Sequence, residues 1–185
     1  MADKREPLTE SIIRSVHALV LRRSCPDEPG RYRTVQVFIS GSQHVPPNPA
    51  AVPAAMGGLV SWLRSAEDGT QPTALAAEFH ARLVDIHPFV DGNGRTTRLV
   101  ANLLLMRSGY LPASWTPEDR TEYSQALEAA HLEGSFNAIT RLTARAVTRT
   151  FDRYLHVIEQ TWKPDLRQSG NGTPANAGSA CRPPD

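Results

Sequence analysis

The sequence is poor in several features that would have fixed its class at once. It has two cysteines in 185 residues. Cys25 and Cys181 stand at no metal-binding spacing and are too few for a disulfide scaffold, so they read as ordinary thiols of a reducing compartment. No apolar run approaches the ~20 residues that span a bilayer, and the charged stretch Met1 to Pro7 leads into an amphipathic pattern rather than a signal core. A soluble, cytoplasmic protein is the expectation. An excess of charge of one sign is missing too. The formal net charge of +1 provides neither a nucleic-acid groove nor a membrane-surface stripe, and no partner of either kind is expected. Internal repeats are absent, and strand-like alternation occurs once. A single domain with one core and loose ends is what this length supports.

The apolar spacing predicts helices. Thr9 is placed to cap one with Ile12, Ile13, Val16, Leu19 and Val20 on its face, ending near Ser24 before Cys25-Pro26 and Pro29-Gly30. Val35, Val37 and Ile39 then alternate with Thr34, Gln36 and Phe38. Ser40-Gly41-Ser42 turns the chain toward His44-Val45, and Pro46-Pro47-Asn48-Pro49 stops it. This predicts a short β-hairpin, marginal in water as two strands alone. A helix from about Ala51 to Arg64 presents Val52, Met56, Leu59, Val60 and Leu63, and after a loop Leu75, Phe79, Leu83 and Ile86 form another stripe. The stretch Leu99 to Leu105, with Leu99, Leu103 and Met106 on one side, is apolar nearly all round. It predicts a helix buried in the middle of the domain and capped by Gly109. Thr116-Pro117-Glu118-Asp119 starts a helix reaching about Ala130. Ser135 is placed to cap a last one carrying Ile139, Leu142, Ala146, Phe151, Leu155 and Ile158. Beyond Pro164, Gly, Asn, Ser, Pro and Thr dominate. The reading is an N-terminal arm over 1–8, one domain over 9–162 and a disordered tail over 163–185.

One stretch organises the rest: His87-Pro88-Phe89-Val90-Asp91-Gly92-Asn93-Gly94-Arg95-Thr96-Thr97-Arg98. Pro88 disfavours helical geometry at His87, so the preceding helix stops there. Gly92-Asn93-Gly94 reads as a tight loop feeding the next helix N-terminus, where free N–H groups and the macrodipole favour an anion. Arg95 and Arg98, three apart, share a face in the first turn or so. Two cations there are unfavourable without something negative between them, and a polyphosphate is the simplest such guest. The dinucleotide fingerprint fails, because Thr97 stands at the third glycine position, and the P-loop spacing is absent. His80 and His87 do not make a metal pair, since the helix breaks at His87 and no third ligand is evident. Imidazole titrates near neutrality, which suits His87 as a base. Asp91, the loop's one acid, suits a hard cation such as Mg²⁺.

The stretch resembles, without a mismatch, the His-Pro-Phe-x-Asp-Gly-Asn-Gly-Arg-x-x-Arg motif of Fic-domain proteins, most of which transfer AMP from ATP to a hydroxyl of a target protein. The resemblance extends from about Ile12 to about Glu159. It implies an all-α, Fic-type helical bundle with the predicted hairpin as a flap, on which an extended segment of the target docks by strand addition. It implies His87 as catalytic base and Asp91 as Mg²⁺ ligand. Phosphates would meet the backbone at Gly92, Asn93 and Gly94 and the guanidinium groups of Arg95 and Arg98, and the nucleotide would meet Val37 and Tyr123. Related Doc-type proteins, which phosphorylate instead, carry lysine at the position of Gly94, so glycine there implies nucleotidylation. Auto-modification is expected as well.

Two departures stand out. Fic relatives often carry paired tyrosines where this chain has Tyr123-Ser124, and an asparagine where it has His131. A transferase using UTP, GTP or a CDP-alcohol therefore stands beside the ATP reading. The flanking segments resemble the class that carries an inhibitory helix ahead of the core, patterned Ser/Thr-x-x-x-Glu-Gly/Asn. Here Ser124 and Glu128 are followed by Ala129, and Glu133-Gly134 has Ala129 where the hydroxyl belongs. Three expectations follow: a separate antitoxin-like partner supplies the helix to a toxin component, the N-terminal half is missing, or the chain is uninhibited.

Overall fold

The computed structural model describes residues 7–22, 29–39 and 41–162. Its helices are α1 (Glu10–Leu21), α2 (Val52–Ala66), α3 (Pro72–Ile86), α4 (Asn93–Arg107), α5 (Arg120–Glu133) and α6 (Asn137–Thr161). The axis of the fold is α3. Gln71 caps it by accepting from the N–H groups of Thr73 and Ala74 at 2.9 and 3.0 Å. Pro72 fills the first turn, where no intrahelical donor is required. Ten of its fifteen residues are buried, because Ala76, Ala77 and Ala81 admit neighbours on the sides that Leu75, Phe79 and Leu83 do not fill. It packs on α2, α4 and α6 and touches α5, while α1 lies against α4.

The main core joins Ile13, Val52, Met56, Leu63, Phe79, Leu83, Val100 and Leu105, and Leu8, read as part of the arm, is buried in it. A smaller cluster of Ala77, Ala81, Ala126, Ala130, Ile139 and Leu142 seats α5 and α6. Burying each of the large aliphatic side chains stabilises the fold by about 1.5–3 kcal/mol.

Thr9 caps α1 as expected, its hydroxyl accepting from the Ile12 N–H at 3.3 Å. Thr116 and Asp119 form a reciprocal capping box that opens α5 through a 3₁₀ turn, Pro117–Asp119. Several expectations need correction. α1 ends at Leu21, and α5 runs to Glu133, where left-handed Gly134 (φ 66°) stops it. Ser135 does not cap α6: Phe136 precedes the helix and gives no side-chain cap. On α4 the core face is Val100, Ala101, Leu104 and Leu105, while Leu99 and Met106 are 51% and 53% exposed. The most buried helix is therefore α3, because α4 is covered on the flanks that α1 and α3 reach and open elsewhere. Phe151, Leu155 and Ile158, in the second half of α6, are exposed rather than buried.

The hairpin is the largest difference. Among the described residues of 31–48 no strand is present; the path is irregular, with a bend at Thr34-Val35 and a turn closed by the Ser42 N–H on the Ile39 carbonyl. Side chains hold it instead. Gln36 Nε2 donates to the Pro46 carbonyl at 2.9 Å, and buried Arg33 donates to the carbonyls of Val35 and Pro47. Two prolines without N–H groups opposite these residues leave a ladder few donors. The arm residues 1–6 and the tail 163–185 lie outside the described residues.

Candidate active site

His87 terminates α3 in a left-handed conformation, φ 46° and ψ 60°, with its N–H still bonded to the Leu83 carbonyl at 3.1 Å. A residue with a Cβ there costs about 1–2 kcal/mol. Arg33 offsets the cost: its Nε donates to the His87 carbonyl at 2.8 Å, and its backbone N–H donates to the Pro88 carbonyl at 2.9 Å. Burial pushes the His87 imidazole below its ordinary pKa, aided by the charges of Arg33 and His44 and partly opposed by the Val84 carbonyl. The ring is thus neutral at physiological pH and able to accept a proton.

The loop behind it is clamped from inside. Phe89 is buried, with the His17 ring stacked on it at 3.6 Å and Tyr32 tilted against it. His17 Nδ1 accepts from the Gly30 N–H at 3.0 Å, which leaves Nε2 to carry the proton and donate to the Asp91 carbonyl at 3.0 Å. Asn93 turns inward: its Oδ1 accepts from the Phe89 N–H and its Nδ2 donates to the Phe89 carbonyl, at 2.9 and 2.8 Å. Gly92 sits at φ 78°, and a Cβ there would meet Leu21 and His17 at 3.2 and 3.4 Å. Its glycine identity is therefore required twice over.

From this loop α4 starts, with Gly92 as N-cap and the first intrahelical bond running from the Thr96 N–H to the Gly92 carbonyl. The N–H groups of Asn93, Gly94 and Arg95 have no acceptor within the helix and are available to an anion. Asp91 Oδ1 accepts from the Gly92 N–H at 2.6 Å and Oδ2 pairs with Arg95 at 3.0 Å, yet the carboxylate stays 62% exposed. A Cβ at Gly94 would lie 3.4 Å from the Arg98 guanidinium, so glycine keeps that cation free to lie close to the backbone.

Two chambers meet at His87. One, of about 280 Å³, is lined by His87, Val90, Asp91, Gly92, Asn93, Gly94, Arg95 and Arg98. The other, of about 220 Å³, is lined by His87, Gly94, Arg98, Tyr123, Ser124, Leu127, Glu128 and His131, with Ile39, Gly41 and Ser42 from the 31–48 segment. Arg98 lies beside the Tyr123 hydroxyl, whose pKa burial raises and the cation partly restores. That hydroxyl is 2.7 Å from His80 Nε2. Full burial, with Arg98 nearby, pushes the His80 imidazole down to about 3. It is therefore a neutral support for Tyr123. His80 is thus a packed, hydrogen-bonded histidine, apart from His87 in role.

The sequence-predicted residues His87, Asp91, Gly92, Asn93, Gly94, Arg95, Arg98 and Tyr123 thus converge on the two chambers. Val37 does not line either; Ile39, two residues on, does. Asn93 contributes its backbone, since its side chain is spent on the Phe89 amide groups. Sequence reasoning missed His17 and Arg33, both buried and both bracing the loop. Neither stands in a motif, and their partners are 74 and 54 residues away, so only the fold reveals them.

The family model described as Fic/DOC family matches residues 7–105. The chain is similar to protein adenylyltransferase Fic of Nematostella vectensis, 41% identical over 156 residues, 84% of this chain and 36% of that protein. The Aedes aegypti protein of the same name is 38% identical over 165 residues, 89% of this chain and 32% of that one. The chain thus spans about a third of the length of these curated relatives. Among solved structures, a variant of Fic-1 from C. elegans matches with a TM-score of 0.76 at 33% identity, over 87% of this chain and 47% of that one. A Fic domain containing signaling protein from Bacteroides thetaiotaomicron gives 0.65 at 32% identity, over 83% and 60%. On the motif loop it holds between α3 and α4, and on a match covering more than half its residues, the chain belongs to the Fic/DOC family.

Proposed function

We propose that this chain is a protein adenylyltransferase that moves AMP from ATP to a hydroxyl side chain of a target protein and of itself. One observation carries the reading: His87, Gly94 and Arg98 line both chambers. A nucleotide with its base end beside Tyr123 and its phosphates on the α4 N-terminus has to pass the His87 ring at the junction. His87 takes the proton of the target hydroxyl, the hydroxyl oxygen bonds to the α-phosphorus, and the bond to the β-phosphate oxygen breaks. Pyrophosphate leaves held by Arg95, Arg98 and the N–H groups of the loop. Supporting the donor assignment, the relatives described above are named adenylyltransferases.

Asp91 fits Mg²⁺: it is a single exposed hard carboxylate at the phosphate end, as magnesium sites shared with nucleotide phosphates usually are. When bound, the ion neutralises phosphate charge. The 31–48 segment is the flap of this reading. It lines the Tyr123 chamber with Ile39, Gly41 and Ser42 and exposes Val35, Phe38 and Val45 to solvent, which suits docking of an extended target segment.

A second reading has its own observation. Ser124 bonds back to the Arg120 carbonyl and His131 to Asp85, so the nucleoside end lacks the usual tyrosine and asparagine of the family. A uridine, guanosine or CDP-alcohol donor fits that end as an alternative. The test is incubation with Mg²⁺ and α-labelled ATP, UTP or GTP, with γ-labelled ATP as control. Label from α-labelled ATP alone supports AMP transfer. Label from UTP or GTP alone moves the protein to the second reading, and transfer of γ-label only makes it a kinase.

A further inference from the structure

We propose that His44, Asp85 and His131 bind one divalent ion of the zinc class, and that this ion ties the 31–48 segment to α3 and α5. The residues come from three elements distant in sequence. His44 Nε2 lies 3.0 Å and His131 Nδ1 2.8 Å from the same oxygen, Asp85 Oδ1. The donor atoms of all three fall within 4.8 Å of one another, and no other such His, Cys, Asp or Glu group occurs among the described residues. The edge of a zinc tetrahedron with bonds of ~2.0–2.1 Å is about 3.3 Å. In distance, an ion needs Asp85 Oδ1 to part from each nitrogen by a few tenths of an ångström.

The chemistry of the set selects the metal. Two imidazoles and one carboxylate suit zinc, whereas magnesium and calcium take oxygen ligands. The two rings are stacked at 4.3 Å and 15°, so their in-plane lone pairs run nearly parallel, and one ring has to turn out of the stack before both nitrogens reach one ion. His131 and His44 are 5% and 18% exposed, but Asp85 is 45% exposed, so the site is packed on its nitrogen side and open on its oxygen side. That opening gives water a fourth position. The Asp85 backbone carbonyl, 3.0 Å from His44 Nε2, is the remaining polar contact and is given up when that nitrogen turns its lone pair to the ion.

The site has a place in the molecule. His131 lines the Tyr123 chamber, and Gly41 and Ser42, just before His44, line it too. An ion at Asp85 therefore fixes the wall that the 31–48 segment contributes, from a position apart from Asp91 and the phosphate end.

The experiment uses the metal-stripped full chain, without nucleotide, so its outcome is independent of the transferase reading. Co²⁺ is titrated by visible absorption and Zn²⁺ by calorimetry. The expected result is an intense tetrahedral Co²⁺ spectrum that one equivalent of Zn²⁺ abolishes. His44→Ala, Asp85→Asn and His131→Asn each weaken Zn²⁺ binding by roughly tenfold or more, while Asp91→Ala leaves it unchanged. Limited proteolysis within 31–48 slows on adding Zn²⁺ to the wild-type protein. A weak octahedral-type Co²⁺ spectrum overturns the site without reliance on any variant's folding. So does unchanged affinity in the three variants, or loss of binding in Asp91→Ala.

Discussion

Single residues divide here into those that line the two chambers and those that hold them in place. His87 is kept neutral by burial and aimed by its left-handed backbone. Its replacement by alanine is expected to cut transfer of α-label by roughly 10²–10⁴-fold with nucleotide affinity nearly unchanged. Turnover close to wild type would remove it from the mechanism. Gly92 tests the holding side. Gly92→Ala forces a side chain into φ 78° against Leu21 and His17, and a loss of about 1–2 kcal/mol is expected in urea unfolding. A shift within experimental error would mean the loop relaxes freely. The motif residues were legible because their chemistry is local: a proline breaks a helix, glycines admit a phosphate, and two arginines want an anion. His17 and Arg33 were not legible, because a brace is recognisable only by what it touches. The inward turn of Asn93 was hidden for the same reason.

At the scale of elements, the helix starts at Thr9 and Thr116 were read well, while the cap at Ser135 and the amphipathic sides were not. Thr9 and the Thr116–Asp119 box declare themselves within four residues. The outward side of α4 depends on neighbours that periodicity does not name, and the described residues of 31–48 show side-chain bonds from Arg33 and Gln36 to the Val35, Pro47 and Pro46 carbonyls in place of a ladder. The α5 start also carries a measurable charge effect. Asp119 is buried and takes a two-pronged bond from Arg149, at 2.7 and 3.0 Å, besides the Thr116 N–H. These bonds hold its carboxyl well below the usual carboxylate range. A depressed folded value means that the unfolded chain binds the proton first as pH falls. The stabilisation is therefore full above the unfolded value of about 4 and declines below it. Asp119→Asn should cost about 1–3 kcal/mol at pH 7, with Arg149 partly solvated. The gap to wild type should narrow when urea unfolding is repeated at pH 3. An unchanged gap would place the loss in packing rather than in charge.

For the whole molecule, the described helices include none long and apolar enough to cross a membrane. Under the proposed function, control of the site would act through Arg98, which lines both chambers. A glutamate delivered to that guanidinium competes with a phosphate for it. A helical peptide patterned Ser-x-x-x-Glu-Gly, added in trans, is expected to suppress auto-modification by an otherwise active chain, and the same peptide with alanine for glutamate is not. Equal rates with both peptides would sink this account of control. The clamp on the motif loop has a further consequence, in the order of events when the chain folds. His17 reaches Asp91 across 74 residues and Arg33 reaches His87 across 54, whereas α3 and α4 need only local contacts to form. Closing such long loops is slow relative to winding a helix. During refolding from urea, helical circular dichroism should therefore recover before transferase activity does. Replacing His17 with leucine should widen the delay; recovery of both signals in one phase would mean that the base is in position as soon as its helix is.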